Sequence, residues 1–179
     1  RPWDVLNTQI RGTLNVIDAC VANGVKTLVL FSSSEVYQTP PIVPTPEGVP
    51  LTIPDLKNPR YSYAGGKIAA ELMAWWSPIP RVIIIRPHNV YGPGQRPGHV
   101  IPDLIERIAL APIGETVAIV DVHGPPDAER AFIYIDDFVR DCLEIVNHHA
   151  SDERCREVYN VGTEYTRTVA AVADHIADE

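Results

Sequence analysis

Val5, Leu6, Ile10, Leu14, Ile17 and Val21 recur every three or four residues, and Asn23-Gly24 supplies a stop, so the pattern predicts an amphipathic helix over residues 4–23. The apolar run from Lys26 to Ser32 then reads as a buried strand. Seven prolines between Gln38 and Pro59 exclude a central strand or a continuous helix and stiffen a long surface loop. Loops of that kind often line binding sites. Tyr61, Ala64, Ile68, Leu72 and Trp75 mark a second helix, and the Val/Ile run of residues 81–86 suits a parallel strand covered on both faces. Beyond it the pattern predicts a helix over 99–110, a strand at 131–135, a helix at 136–148, a strand at 157–161 and a helix at 167–178. Such alternation predicts an α/β sheet.

Composition narrows the class. The 179 residues are 45% hydrophobic and 21% charged, enough for one ordinary core. No apolar stretch approaches the roughly 20 residues that a spanning helix needs, so no membrane partner is expected. A net charge of −8 has the wrong sign for generic affinity to nucleic acid or anionic lipid, and an anionic ligand would need a local site. Cys20, Cys142 and Cys155 form no C-x-x-C pair and are odd in number, which fits a reducing cytoplasm. The chain opens with Arg1-Pro2-Trp3, without a secretory signal pattern, and its one methionine is Met73, so further residues are expected upstream.

Tyr63 and Lys67 are four apart on the second helix, so both side chains leave one face and can act on one ligand atom. A free tyrosine titrates near ~10, and using one as a base near pH 7 takes roughly 4 kcal/mol of preference for phenolate, which a nearby ammonium supplies. The spacing alone fits equally a surface lysine beside an aromatic. Its setting adds weight. Ser32-Ser33-Ser34-Glu35-Val36-Tyr37 follows one predicted parallel strand, and Arg86-Pro87-His88-Asn89-Val90-Tyr91-Gly92-Pro93-Gly94 follows another. Open α/β sheets bind ligands at these carboxyl ends.

Other features read plainly. The glycines from Gly92 to Gly98 have the wrong spacing for a dinucleotide loop, and the prolines among them remove amide donors. Asp136-Asp137 is expected to cap the following helix. His148 and His149 are adjacent, diverge around a helix and are expected to be exposed; no metal site is expected.

Together with Thr8-Gln9-Ile10-Arg11-Gly12-Thr13 and Arg130-Ala131-Phe132-Ile133-Tyr134-Ile135-Asp136-Asp137, these segments make the chain resemble the extended short-chain dehydrogenase/reductase family, specifically its NAD-dependent nucleotide-sugar epimerases and dehydratases. The resemblance implies a Rossmann-like, doubly wound parallel sheet lacking its N-terminal strands here. Residues 1–98 would form the second half of the NAD-binding domain. Residues 99–179 would form mostly a small substrate-binding lobe, with segments returning to the sheet. Tyr63 would be the base, Lys67 would lower its pKa and hold the nicotinamide ribose, and Ser33 would bond the same oxygen. Thr8 and His88 would touch NAD, while Ser34, Asn89 and Arg130 would hold a nucleotide-diphosphate sugar. Gln9 replaces the family's usual asparagine, and no role is carried onto it.

Glu35 separates the subclasses, because dehydratases and uronate decarboxylases carry a glutamate there that could take the C5 proton; the plain alternative is a solvated loop acid. The 4,6-dehydratases place an aspartic acid just before that glutamate, where this chain has Ser34. The implied function is an NAD-dependent nucleotide-sugar epimerase or dehydratase working through a transient 4-keto sugar. A UDP-uronate decarboxylase-like enzyme, an NADP-dependent carbonyl reductase and a non-catalytic fragment lacking the glycine fingerprint are the alternatives. The helices at 4–23 and 60–76, with Trp75 and Trp76, show surplus apolar surface and imply a homodimer.

Overall fold

The structure is a computed structural model, and it describes residues 1–110 and 127–178. In chain order its elements are α1 (Pro2–Ala22), β1 (Thr27–Phe31), a 3₁₀ turn (Ser34–Val36), α2 (Tyr61–Trp75), β2 (Arg81–Pro87), β3 (Val90–Tyr91), α3 (Val100–Ala109), β4 (Glu129–Ala131), β5 (Ile133–Tyr134), α4 (Ile135–His148), β6 (Cys155–Val161), β7 (Thr166–Thr168) and α5 (Val169–Asp178). They fall into two units. The first comprises residues 1–88 and 139–161, the second the described residues of 89–138 and 162–179. No helix among the described residues is long and apolar enough to cross a membrane.

The first unit is built on a parallel sheet of order β1-β2-β6, with Thr27 opposite Arg81 and Arg81 opposite Cys155. Within β2, Val82, Ile83, Ile84 and Ile85 are at most 1% exposed. Successive strand residues point to opposite faces, so both faces of β2 are covered, as its unbroken apolar run predicts. On one face Val82 and Ile84 join Ile17 of α1, Ala74 of α2, Leu28 and Ile79, with Trp75 packed against them. Each such Ile or Val contributes about 1.5–3 kcal/mol. Among the described residues β1 has one strand partner, β2, and its other edge carries none.

Helix ends follow local chemistry. Pro2 and Asp4 suit the first turn of α1, and Asn23 closes it by donating its side-chain amide to Ala19 O at 2.8 Å, before Gly24 turns the chain at φ +65°. Beyond α2, the Arg156 guanidinium donates to the carbonyls of Trp75, Ser77, Pro80 and Cys155 at 2.8–3.0 Å, engaging carbonyls that the helix leaves open. Asp136 and Asp137 lie inside the first turn of α4, at the positive end of its dipole, instead of ahead of it.

In the second unit β3 pairs with β5 in parallel, β4 pairs with β7 antiparallel, and α3 packs against α5. The single strand expected at 131–135 is therefore two short ones that change partners at Phe132. The helix expected from 167 starts at Val169, because Thr166–Thr168 pair with Glu129–Ala131 and Thr168 Oγ1 caps it from Ala171 N at 3.1 Å.

The expectation of two exposed histidines is corrected. His148 is exposed, but His149 is 8% exposed, with Nδ1 2.7 Å from Asp152 and Nε2 2.7 Å from the Tyr159 hydroxyl. Nor do the rings diverge: their centroids lie 4.8 Å apart, edge to face at 83°, the exposed His148 ring resting against the buried one. Donor atoms of His149, Asp152 and Cys155 lie within 4.8 Å of one another, yet both imidazole nitrogens are already engaged.

Candidate active site

The start of α2 is prepared by local bonds: Asn58 Oδ1 accepts from Arg60 N at 3.1 Å, and the Ser62 hydroxyl donates to Pro59 O at 2.8 Å. The next two turns carry Tyr63 and Lys67. Lys67 Nζ lies 5.8 Å from the centroid of the Tyr63 ring and donates to Phe31 O at 2.7 Å, which fixes the ammonium at the carboxyl end of β1, beside Ser32 and Ser33 in the chain. Burial pushes the Lys67 pKa below its usual 10.5, and the Glu71 carboxylate one turn away opposes the shift. Tyr63 is 41% exposed, and its hydroxyl has no hydrogen-bond partner among the described residues.

Ser33 caps the 3₁₀ turn by accepting from Glu35 N at 3.2 Å, which leaves its hydroxyl hydrogen free to donate. Ser34 opens that turn and is half-buried. The Glu35 carboxylate is half-exposed and 3.8 Å from the Arg60 guanidinium, a distance at which an exposed pair contributes about 0–1 kcal/mol. His88 follows β2, with its backbone N–H on Val161 O at 2.9 Å. Burial lowers its pKa below 6.5, against the pull of Asn160 and the Glu47 carboxylate, and its Nε2 is buried without a protein partner.

Beneath these groups lies a buried polar network that the sequence motifs did not reveal. Arg86 forks onto Glu71 at 2.9 and 2.6 Å and donates to the Tyr37 hydroxyl at 2.6 Å and Glu47 O at 3.0 Å. Tyr37 in turn donates to Asn160 Oδ1 at 2.8 Å. The available signal was an arginine ending a fully buried strand, since a charge placed there must be paired. Gln9 also finds a place: a Cβ on Gly66 would overlap its side-chain amide, so the glycine lets α1 and α2 approach beside Lys67.

Ser33, Ser34, Glu35, Tyr63, Lys67 and His88 thus belong to the first unit and cluster about the strand ends and the start of α2. Thr8 is exposed on α1 and makes no bond to the others. Asn89 and Arg130 belong to the second unit. There the Asn89 side-chain amide donates to Ala131 O at 2.8 Å, and Arg130, exposed, has one donor on Glu129 O at 2.7 Å. Chemically, the first unit offers a phenol with an adjacent ammonium, a free hydroxyl donor and a carboxylate, a set able to move a proton to and from an alcohol.

Comparison with known proteins places this geometry. The family model described as the NAD dependent epimerase/dehydratase family matches residues 1–162. GDP-6-deoxy-D-mannose reductase of Pseudomonas aeruginosa is 29% identical over 99% of this chain and 57% of its own length. The dTDP-D-glucose 4,6-dehydratase of Mus musculus is 28% identical over 98% of this chain and 46% of its own. Among solved structures, a UDP-galactose 4-epimerase superposes with a TM-score of 0.82 at 26% identity, over 99% of this chain and 56% of that one, and shares its Rossmann-type α/β fold. The chain spans about half the length of the curated relatives it matches.

Proposed function

The chain belongs to the NAD-dependent epimerase/dehydratase family, and from that premise we propose that it carries the acid–base half of an enzyme that epimerises or dehydrates a nucleotide sugar through a transient 4-keto sugar. The observation that carries this reading is the free Tyr63 hydroxyl on the same helical face as an ammonium anchored to the end of β1. Tyr63 removes the proton from the sugar hydroxyl, Lys67 stabilises the phenolate that does so, and Ser33 donates to the same oxygen.

NAD, when bound, supplies the hydride acceptor and donor for one cycle. The residues present fit it: Lys67 has donors beyond the one on Phe31 O, and Ser32 Oγ and His88 Nε2 are buried polar atoms without protein partners near the strand ends. Lys67, Ser33, Tyr63, His88 and Thr8 would hold it. Asn89, Ser34 and Arg130 take the nucleotide-diphosphate sugar, Arg130 through the fork a diphosphate matches. Glu35, half-exposed, takes the C5 proton in the dehydratase version of the cycle.

A homodimer through α1 and α2 is part of the reading, because Leu14 and Val21 on α1, Leu72 on α2 and Trp76 just past its end stand exposed, Trp76 at 79%. Three unpaired cysteines fit a reducing cytoplasm. The test is incubation of the full-length protein with UDP-, GDP-, CDP- and dTDP-sugars in deuterated water. Deuterium at C5 marks Glu35 chemistry, and turnover without it marks inversion at C4. Net consumption of NADPH with a small ketone, and no reaction of any sugar nucleotide, overturns the proposal.

A further inference from the structure

We propose that Asn160 is a positioning residue that latches the proline-rich segment 38–59 onto the carboxyl edge of the sheet beside His88. Three of its polar groups reach across more than a hundred residues. Its Oδ1 accepts from the Tyr37 hydroxyl at 2.8 Å, its Nδ2 donates to Thr45 O at 2.9 Å, and its backbone N–H donates to Glu47 Oε1 at 2.9 Å. Tyr37 stands one residue ahead of the segment, and Arg86 adds a third tie to the segment itself, donating to Glu47 O at 3.0 Å.

The segment has little else to hold it. It contains no helix or strand, and its other ties are at its two ends: Thr52 donates its N–H to Val36 O at 3.2 Å and its hydroxyl to Tyr37 O at 3.5 Å, and the Gln38 side-chain amide donates to Glu35 O. Seven prolines narrow the conformations open to it, so a few bonds suffice to choose one. Asparagine suits the position because one planar carboxamide offers an acceptor to the phenol and a donor to the carbonyl together. Aspartate keeps the acceptor, loses the donor and adds a charge near the Glu47 carboxylate; leucine loses both.

Location gives the latch its function. The segment leaves the turn that carries Glu35 and re-enters at Tyr61, two residues before Tyr63, so its path sets the spacing between both ends of the candidate site. Asn160 also bears on His88, whose charge state it influences. The mechanical part of this inference stands on the hydrogen bonds alone, whereas its consequence for substrate rests on the function proposed above.

Hydrogen exchange on the full-length protein without ligand tests the latch directly. In Asn160→Leu and Asn160→Asp, the Val49 and Thr52 amides, which donate to Pro46 O and Val36 O, should exchange about tenfold faster or more as the released segment opens, the effect of losing one or two ordinary hydrogen bonds, and the His88 ring resonances should move. In Glu47→Ala the Asn160 amide itself should lose protection. With the sugar nucleotide the full-length enzyme turns over, KM should rise about tenfold while kcat stays within about threefold, the mark of lost uniform binding. Exchange unchanged within about twofold in a folded variant overturns the latch. Faster exchange with unchanged KM overturns its role toward substrate. If wild-type protein turns over no sugar nucleotide, the functional reading falls while the exchange data still decide the latch. Should Asn160→Leu fail to fold, Glu47→Ala and Tyr37→Phe, each removing part of the network, carry the same measurement.

Discussion

Along α2, Tyr63 and Lys67 keep hydrogen-bonding capacity unengaged at a half-open surface, whereas Glu71, one turn further on, has both oxygens on Arg86 in side chains only 5–6% exposed. The same helix therefore presents two kinds of polar group. The saturated pair holds α2 to β2 and offers nothing to a ligand. The unsaturated pair contributes little to stability and has donors left for chemistry. A polar group's unfilled valence, more than its charge or its burial, separates the two.

Four measurements break or sharpen that contrast. Arg86→Met leaves Glu71 buried and unpaired, and unfolding free energy should fall by about 3–5 kcal/mol in denaturant titration. A loss below about 1 kcal/mol would mean that the pair is dispensable to the fold. Tyr63→Phe should do the opposite, cutting turnover about 10²- to 10⁴-fold while the melting temperature holds; equal turnover in the variant removes the catalytic side of the comparison. Gly66→Ala, which drives Gln9 from its seat between the helices, should cost about 1–3 kcal/mol, and Gln9→Ala in the same chain should recover most of it in a double-mutant cycle.

The smallest effect is at Lys67. Burial lowers its pKa below 10.5, so the folded protein releases this proton before the unfolded chain does. The cost of burying the charge is fully present below the folded pKa and fades as pH rises through it toward 10.5. Wild-type stability should gain over that alkaline window, and Lys67→Met, followed by thermal melts across it, should lack the gain.

The long elements were legible because their periodicity is long: α1, α2, β1, β2 and α4 lie within two residues of where the apolar spacing puts them. Strands of two or three residues carry no periodicity, which is why β3 and β7 went unread and why the expected 131–135 strand hid a change of partners at Phe132. In the site, the Tyr63–Lys67 relation is local, four residues on one helix, and was visible. The Arg86 network was not. Its partners lie from 15 to 49 residues away, and Asn160 is 123 from Tyr37, so only the folded chain brings them together. His149 shows the limit of facing arguments: adjacency on a helix suggested diverging rings, yet the two lie edge to face at 4.8 Å, and His149 meets Asp152 and Tyr159 because of where β6 runs.

The side of β1 that no described strand covers sets a handling requirement for this stretch of protein. A parallel neighbour can reach that side only after a crossover of a dozen or more residues, or from a separate molecule. Its peptide groups otherwise stand ready to recruit whatever extended chain is at hand. Produced as these 179 residues and no others, the polypeptide should polymerise strand to strand as concentration rises, and a lysine or proline facing outward on β1 should delay the turbidity.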